Sequence, residues 1–194
     1  MKKFYEKALP TQGIYCVTGI AKNGIPKNLF AESLAQVYEH VDALVASNYN
    51  VFVAPSSFNS ARRLADNALY SKSFFIDLDV GDGEHKYKSQ IEGLEALDKF
   101  ITDQDLPPPV VINTGNGVHA YWIFEEDVPI AEWRTYAKLF KNLCKDNLKI
   151  DPVVTADAAR IMRCPDTLNY KSSPPKRTGP VSYTHLTLPT ILLV

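Results

Sequence analysis

The alternation of apolar and polar positions along the chain predicts a mixture of short strands and longer helices. Period-two alternation, or a short β-branched and aromatic run, predicts strands at 13–19, 51–54 and 73–80. Apolar side chains spaced three or four residues apart predict helices over about 30–47, 89–102 and 130–147. A hairpin is predicted at 110–124, and the polar segment 55–72 is expected to be a surface loop with a short helix. This order of elements indicates an α+β or mixed-sheet fold with helices on one side of the sheet.

The most informative strand is 73–80, which ends at a Gly-Asp-Gly turn. One face carries Phe75, Asp77 and Asp79, and the other face is wholly apolar and suited to a core. The two carboxylates lie about 7 Å apart along the strand and can converge on one hard cation. Adjacent acids repel each other unless a cation, Arg or Lys lies between them. The pattern favours a metal site, and an ordinary polar face is the alternative.

Composition limits the class of protein. The chain has 194 residues, 45% of them hydrophobic, and a formal net charge of -1, which suggests one domain, with or without a small subdomain. No apolar run is long enough to span a membrane, and the start of the chain is not a signal peptide. Three dispersed cysteines indicate reduced thiols in a cytoplasmic protein and make a zinc site unlikely. Nucleic-acid binding would therefore need a local basic patch.

The predicted hairpin contains a histidine directly after a Gly-rich turn. Alternation places Val118, Ala120, Trp122 and Phe124 inward, and it directs His119 and Tyr121 toward a cleft or solvent. A lone strand histidine is often a structural hydrogen-bonding group. Beside the turn Thr-Gly-Asn-Gly at 114–117, however, backbone N–H groups and an imidazole can together meet a phosphate.

A third group of charged residues follows the last predicted helix. Asp151 ends an extended segment, and Asp157 lies six residues later. The cations that follow are Arg160, Arg163, Lys171, Lys176 and Arg177. A solvated surface is the ordinary interpretation of such a run, whereas cations beside an acid cluster suit a polyphosphate substrate. Since Walker A, GxGxxG and GxSxG motifs are absent, the inventory fits metal-assisted phosphoryl or nucleotidyl transfer.

The end of the chain has a different character. Residues 181–194 are Thr-rich, apolar and uncharged, and they resemble translated sequencing-adapter bases. We therefore expect a catalytic domain over 1–180 and a non-native tail over 181–194, with a gene that continues past Pro180. A genuine final strand is the alternative.

Three motifs in this order resemble the archaeo-eukaryotic primase superfamily, in particular phage and plasmid primase-polymerases. Ile-Asp-Leu-Asp at 76–79 resembles the first motif, Gly-Val-His at 117–119 the second, and Ile-Asp at 150–151 the third. Residues 159–171 resemble the Arg-x-x-Arg-x-Pro-Gly-Thr-x-Asn-x-Lys pattern of phage members, with Asp166 in place of the usual Gly. The resemblance covers roughly residues 10 to 175.

The resemblance implies an RRM-like catalytic sheet joined to an N-terminal α/β unit, with the active site between them. Asp77, Asp79 and Asp151 would hold two Mg²⁺ or Mn²⁺ ions for template-directed addition of NTPs or dNTPs, with Asp157 as the alternative third ligand. The incoming nucleotide would be bound by Gly117, His119, Arg160, Arg163 and Lys171. Single-stranded DNA would be the template, and a helicase domain often lies downstream.

Two other classes of function remain open from the sequence. A metal-dependent glycosyltransferase also binds a nucleotide diphosphate through a DxD pair, although it does not account for the Gly-Val-His turn or the basic third cluster. A non-catalytic RRM-like module binds nucleic acid by stacking bases on aromatic side chains. Here the corresponding face would carry acids and His119 instead.

Overall fold

Two antiparallel sheets and four helices form the part of the chain that the computed structural model describes, namely residues 1–21, 24–151 and 153–181. The helices are α1 (Lys2–Ala8), α2 (Leu34–Ala46), α3 (Gln90–Asp103) and α4 (Ile130–Asn147). The strands are β1 (Tyr15–Ile20), β2 (Pro26–Ala31), β3 (Asn50–Val53), β4 (Ser56–Phe58), β5 (Ala68–Asp79), β6 (Val110–Asn113), β7 (Gly117–Pro129), β8 (Met162–Arg163), β9 (Leu168–Asn169), β10 (Lys176–Arg177) and β11 (Gly179–Pro180). β9 and β10 form a separate small hairpin.

The larger sheet, called the central sheet, has the order β11-β6-β7-β5-β4 within the described residues, and its neighbouring strands are antiparallel. Its apolar face includes Ile76 and Leu78 of β5, which pack in one cluster with Leu97 of α3 and Phe140 of α4. Alternation along β5 directs these side chains to one face, and the apolar stripes of α3 and α4 cover them. The α+β class is confirmed, and α3 and α4 lie together on one face of the central sheet.

The smaller sheet, called the N-terminal sheet, has the order β2-β1-β3-β8 in the described chain. The apolar stripe of α2, Val37, Val41 and Leu44, packs with Val51 and Val53 of β3 in a separate core. Because β8 comes from much later in the chain than β3, this sheet joins both ends of the domain. The expected N-terminal α/β unit is present and is closed by a C-terminal strand.

The second face of the central sheet packs toward the N-terminal sheet. Phe75, Ile112 and Tyr121 lie in one buried cluster with Cys16 of β1. Tyr121 was expected to point outward with His119, but it is buried, and Phe4 of α1 meets its ring edge-on with centroids 5.0 Å apart. The outward direction predicted for Tyr121 is therefore wrong, because a helix that the pattern did not predict covers this position.

Several element boundaries also differ from the predictions. α2 begins at Leu34 rather than near Phe30, because the preceding residues form β2. The segment 55–72 contains β4, a 3₁₀ turn at Ala65–Asn67 and the start of β5, although it was predicted to be a loop. Ile91 belongs to the apolar repeat that predicts this helix, but it is 58% exposed at the start of α3. The inner side of α3 is instead formed farther along the helix, at Leu97 and Phe100.

Two further features concern the end of the described chain. Asp166 has a positive φ of 63°, a conformation that Gly adopts readily and Asp tolerates. Asp166 therefore adopts a backbone conformation that a Gly would favour at this turn, and its carboxylate pairs with the amino terminus of Met1. The predicted tail lies almost wholly outside the described residues, which end at Val181. Among the described helices, none has the length and apolarity needed to cross a membrane.

Candidate functional site

Asp77 and Asp79 lie at the end of β5, where this strand pairs with the beginning of β7. In the strand register, Asp77 is opposite His119 and Asp79 is opposite Gly117. The two strands approach closely because Gly117 has no side chain: a Cβ there would lie 2.5 Å from the carbonyl oxygen of Leu78. The absence of a side chain at Gly117 thus allows the acidic strand and the histidine strand to pair up to their ends.

A cleft of about 160 Å³ opens between the two sheets at this point. It is lined by acids, cations and amides, together with one aromatic and one aliphatic side chain. Its lining residues are Phe52, Asp77, Asp79, Thr114, Asn116, His119, Arg160, Ile161, Arg163, Asn169 and Lys171. The structure therefore brings together Asp77, Asp79, His119, Arg160, Arg163 and Lys171, which the sequence had proposed from three separate segments.

The two carboxylates occupy a poorly solvated position. Burial raises the pKa of Asp77 from 3.8 to about 6, although Arg160, Lys171 and Arg163 oppose this effect. The pKa of Asp79 is also raised, first by burial and then by repulsion from Asp77. The cations in the cleft therefore do not fully compensate the negative charge of this acid pair.

His119 is a neutral group at physiological pH. It is buried, its pKa is lowered to about 3 by burial and by the nearby Arg163 and Arg160, and its Nε2 lies 3.5 Å from a carboxylate oxygen of Asp77. Its Nδ1 is buried and has no hydrogen-bond partner among the described residues. A buried ring nitrogen without a partner is unfavourable unless a ligand or water meets it.

The cationic side of the cleft is formed by the segment that follows α4. Arg163 is on β8 of the N-terminal sheet, and its guanidinium carbon lies 4.5 Å from the centroid of the Phe52 ring. Arg160 ends a series of turns, and its neighbour Ala159 accepts a hydrogen bond of 2.6 Å from Arg63. Arg63 thus supports this loop through a carbonyl, and Lys171 adds an exposed ammonium at the cleft edge.

The hairpin of β9 and β10 is fixed against the turn at 114–117. Asn169 donates from its side-chain amide to the carbonyl of Thr114 at 2.7 Å and accepts from the N–H of Lys171 at 3.0 Å. Ser172 and Asn116 are joined by a hydrogen bond of 3.0 Å. These contacts hold Lys171 beside the turn at 114–117, which precedes His119.

Three of the residues proposed from the sequence do not line the cleft. Gly117 is buried in the strand pair described above. Asp151 is exposed and accepts a hydrogen bond from the N–H of Val153, and Asp157 accepts one from the N–H of Ala159, so each stabilises a local turn. Asp151 still acts on the cleft through its charge, because it contributes to the raised pKa of Asp77.

The described residues contain no group of three or more His, Cys, Asp or Glu side chains placed to hold a metal together. Asp77 and Asp79 nevertheless fit Mg²⁺ or Mn²⁺. Such ions are commonly held by one or two carboxylates, with waters and substrate phosphates as the other ligands. A cation would also offset the charge repulsion that raises the pKa of Asp79.

The sequence did not identify every lining residue. Phe52 was assigned only to a strand, and Asn116 only to a turn. The alternation in β3, where Val51 and Val53 are buried and Asn50 and Phe52 are not fully buried, is the signal that could have directed Phe52 toward the cleft.

Solved structures with a similar fold include primases. The AEP domain of the cyanophage S-2L primase-polymerase is similar with a TM-score of 0.58 and 18% identity, over 89% of this chain and 82% of that one. Primase RepB' is similar with a TM-score of 0.59 and 13% identity, over 92% of this chain and 53% of the other, so the chain spans about half of the RepB' chain. Its catalytic domain in complex with initiator DNA has a TM-score of 0.54 and 14% identity, over 86% and 75% of the two chains.

No family model and no curated protein matches the sequence. The structural matches show that the chain has the archaeo-eukaryotic primase type of fold, as the order of its motifs had indicated.

Proposed function

We propose that this chain is the catalytic domain of a primase-polymerase, which adds nucleotides to a growing strand on a single-stranded DNA template. One observation carries the proposal: Asp77 and Asp79 share a cleft with neutral His119 and with the cations Arg160 and Arg163. A nucleoside triphosphate has the charge that such a site would bind: the two acids would hold a divalent metal ion that neutralises part of the phosphate charge, and the cations would contact phosphate oxygens. The fold similarity to phage and plasmid-type primases supports this proposal.

Each side chain has a distinct part in the proposed reaction. When bound, Mg²⁺ or Mn²⁺ supplies charge neutralisation at the phosphates and lowers the pKa of the attacking 3′-hydroxyl. Asp77 and Asp79 would hold the ion in their ionised forms. Asp151 is proposed to act on this site as the further acid, with Asp157 as the alternative, although neither lines the cleft.

His119 and the cations act on the triphosphate. Because its pKa is about 3, His119 contacts a phosphate as a neutral hydrogen-bonding group and is not a source of positive charge. Arg160, Arg163 and Lys171 stabilise the negative charge that develops on the leaving pyrophosphate. Burial lowers the pKa of Arg163 to about 10, so the guanidinium remains charged throughout the physiological range.

The architecture also argues against the non-catalytic RRM-like module. In such a module, aromatic side chains on an exposed sheet face stack on bases. Here Phe75 and Tyr121 on the corresponding face are buried beneath the N-terminal part of the chain, and the open end of that face carries Asp77, Asp79 and His119.

The deciding experiment is primer synthesis and primer extension on single-stranded DNA with Mn²⁺ or Mg²⁺. The wild-type protein is compared with the double variant Asp77→Asn and Asp79→Asn, which keeps the side-chain volume and removes both charges. Asp82→Asn is the matched control, because Asp82 is a fully exposed acid in the turn after β5. We expect the double variant to lose about a hundredfold or more of the extension rate and the control to retain it.

The two alternative functions, a non-catalytic binding module and a glycosyltransferase, predict different results for the same proteins. Metal-independent binding of single-stranded DNA without any product would favour the binding module. Metal-dependent binding of a nucleotide-sugar in preference to a nucleoside triphosphate would favour the glycosyltransferase. Equal extension by the wild-type protein and the double variant would refute the assignment of the acids.

A further inference from the structure

We infer that Asn50, on the N-terminal sheet, is a positioning residue that holds the guanidinium of Arg163 and the start of the Lys171 segment in place for phosphate binding. The inference rests on the proposed function for its ligand, and it adds a residue that lies outside all three sequence motifs. Its basis is the set of hydrogen bonds that converge on one amide oxygen.

The Oδ1 atom of Asn50 accepts two hydrogen bonds from the cationic segment. One comes from Nη1 of Arg163 and the other from the backbone N–H of Tyr170, each at 3.0 Å. Tyr170 directly precedes Lys171, whose own N–H is held by Asn169. The side-chain oxygen of Asn50 therefore ties both Arg163 and the residue before Lys171 to the same point of β3.

The strand register explains why Asn50 occupies this position. Arg163 is directly opposite Phe52 in the pairing of β3 with β8, and Cys164 donates its N–H to the carbonyl of Val51 at 2.9 Å. Asn50 and Phe52 share one face of β3, since side chains alternate along a strand. The Arg163 side chain therefore lies across both of them, stacked on the ring of Phe52 and bonded to the amide of Asn50.

Arg163 depends on such support because it is 4% exposed and its charge is poorly solvated. It also attracts Asp77 across the cleft, as the mutual effects of the two charges on their pKa values show. Without the acceptor at Asn50, the guanidinium is free to turn toward the carboxylate. An Arg–Asp pair formed in this way would withdraw one charge from the phosphates and one carboxylate from the metal.

The test compares Asn50→Ala with a control that removes a neighbouring hydrogen bond of the same segment. Tyr170→Phe is that control, because the phenol of Tyr170 donates a hydrogen bond of 3.0 Å to the side chain of Asn48, away from Arg163 and Asn50 Oδ1. Binding of inorganic triphosphate and of a deoxynucleoside triphosphate is measured by titration calorimetry with Mn²⁺. We expect Asn50→Ala to weaken both affinities about tenfold and Tyr170→Phe to leave them within about twofold.

A thermodynamic cycle separates positioning from general destabilisation. In the background of Arg163→Ala, the additional change Asn50→Ala should reduce affinity less than it does in the wild-type protein, because only the start of the Lys171 segment is left for Asn50 to position. An equal loss in both backgrounds would overturn the inference, as would wild-type affinity in Asn50→Ala. Thermal unfolding verifies that each variant is folded, and Asn50→Ser, with a shorter hydroxyl side chain, replaces Asn50→Ala if the latter does not fold.

A second readout does not depend on nucleotide binding. The side-chain N–H signals of Arg163 in ¹⁵N NMR spectra should show slow rotation of the guanidinium in the wild-type protein and in Asn50→Asp, which keeps the oxygen acceptor. They should show fast rotation in Asn50→Ala. If the wild-type protein binds no triphosphate, the proposed function fails, while unchanged Arg163 signals in Asn50→Ala would show that the positioning inference itself is wrong.

Discussion

Replacing Asp77 with Asn should stabilise the metal-free protein at neutral pH and leave its stability unchanged in acid. The folded protein raises the pKa of Asp77 from 3.8 to about 6, chiefly through burial. The ionised side chain is therefore disfavoured in the folded state at pH 7. Asn resembles the neutral acid in size and polarity, so it removes this unfavourable charge and keeps the shape of the site.

The expected magnitude follows from the difference between the folded and unfolded pKa values. A difference of about two corresponds to about 3 kcal/mol in the free energy of unfolding. Because the folded pKa is the higher one, the native state binds more protons between pH 4 and 6, and wild-type stability falls as the pH rises through this window. The advantage of Asp77→Asn should therefore grow from near zero at pH 4 to about 3 kcal/mol at pH 7.

His119 acts in the opposite direction and has to be separated from this effect. Its pKa falls from 6.5 to about 3 on folding, so its contribution to stability is present above about pH 6.5 and is lost as the pH falls toward 3. The two effects partly cancel in the wild-type protein. The comparison is therefore made in the background of His119→Gln, with and without Asp77→Asn, because the His119 ring lies 3.5 Å from the Asp77 carboxylate and the effects of two contacting residues do not simply add.

The assay is urea unfolding at several pH values from 4 to 7.5 in the presence of EDTA. Trp122 and Trp133 are buried and provide the fluorescence signal. Asp82→Asn is the control, because its carboxylate is fully exposed. A constant difference between the proteins with and without Asp77→Asn at all pH values would refute the argument. Mn²⁺ should stabilise the wild-type protein more than Asp77→Asn, since binding to the folded state raises its stability.

Three further predictions concern other parts of the structure. His119→Gln should raise the KM for the nucleotide, measured in extension assays, and remove the loss of stability between pH 6.5 and 3. Lys176 and Arg177 are exposed on the hairpin beside the cleft. Replacing both with neutral residues should reduce the slope of log K for single-stranded DNA binding against log salt concentration by about 1.4. Asp166→Gly should be more stable to urea than Asp166→Ala by about 1 kcal/mol, because φ is positive there.

Each of these three predictions would be contradicted by a specific result. An unchanged KM in His119→Gln would exclude a nucleotide contact at this position. Neutralising Lys138 and Lys145, exposed on α4, is the control for the hairpin cations; equal changes in the salt slope would show only a general charge effect. Equal stability of the Gly and Ala variants would mean that the left-handed conformation at Asp166 imposes no penalty on a side chain.

The strongly patterned elements were predictable from the sequence. α4 spans Ile130–Asn147 as predicted, and the paired strands around Asp77 and His119 were correctly assigned. The physical reason is that a 3.6-residue period or a two-residue alternation is visible wherever one face of an element is buried. The same alternation identified Asp77 and Asp79 as neighbours on one face, and the structure has both in the cleft.

Other elements were missed because their local signals pointed elsewhere. β2 begins at Pro26 and is mostly exposed, as suits an edge strand, so it lacks the apolar alternation by which a half-buried strand is recognised. β4 and the start of β5 contain Ser56, Ser57 and Ser71, which are polar by composition yet fully buried. The inward direction of Tyr121 depends on α1, a contact between residues far apart in sequence that no local pattern contains.

The order in which the strands of the N-terminal sheet are synthesised has a consequence for folding in the cell. β3 ends at Val53, but its partner β8 begins only at Met162. During translation one edge of β3 therefore remains unpaired until the last helix has left the ribosome, and an unpaired edge is a site of aggregation. Because β8 carries Arg163, nascent chains that stall before this point lack both the closing strand and the guanidinium. Protection from hydrogen exchange should arise at the β3 amides that face β8 only when residues beyond Arg163 have emerged.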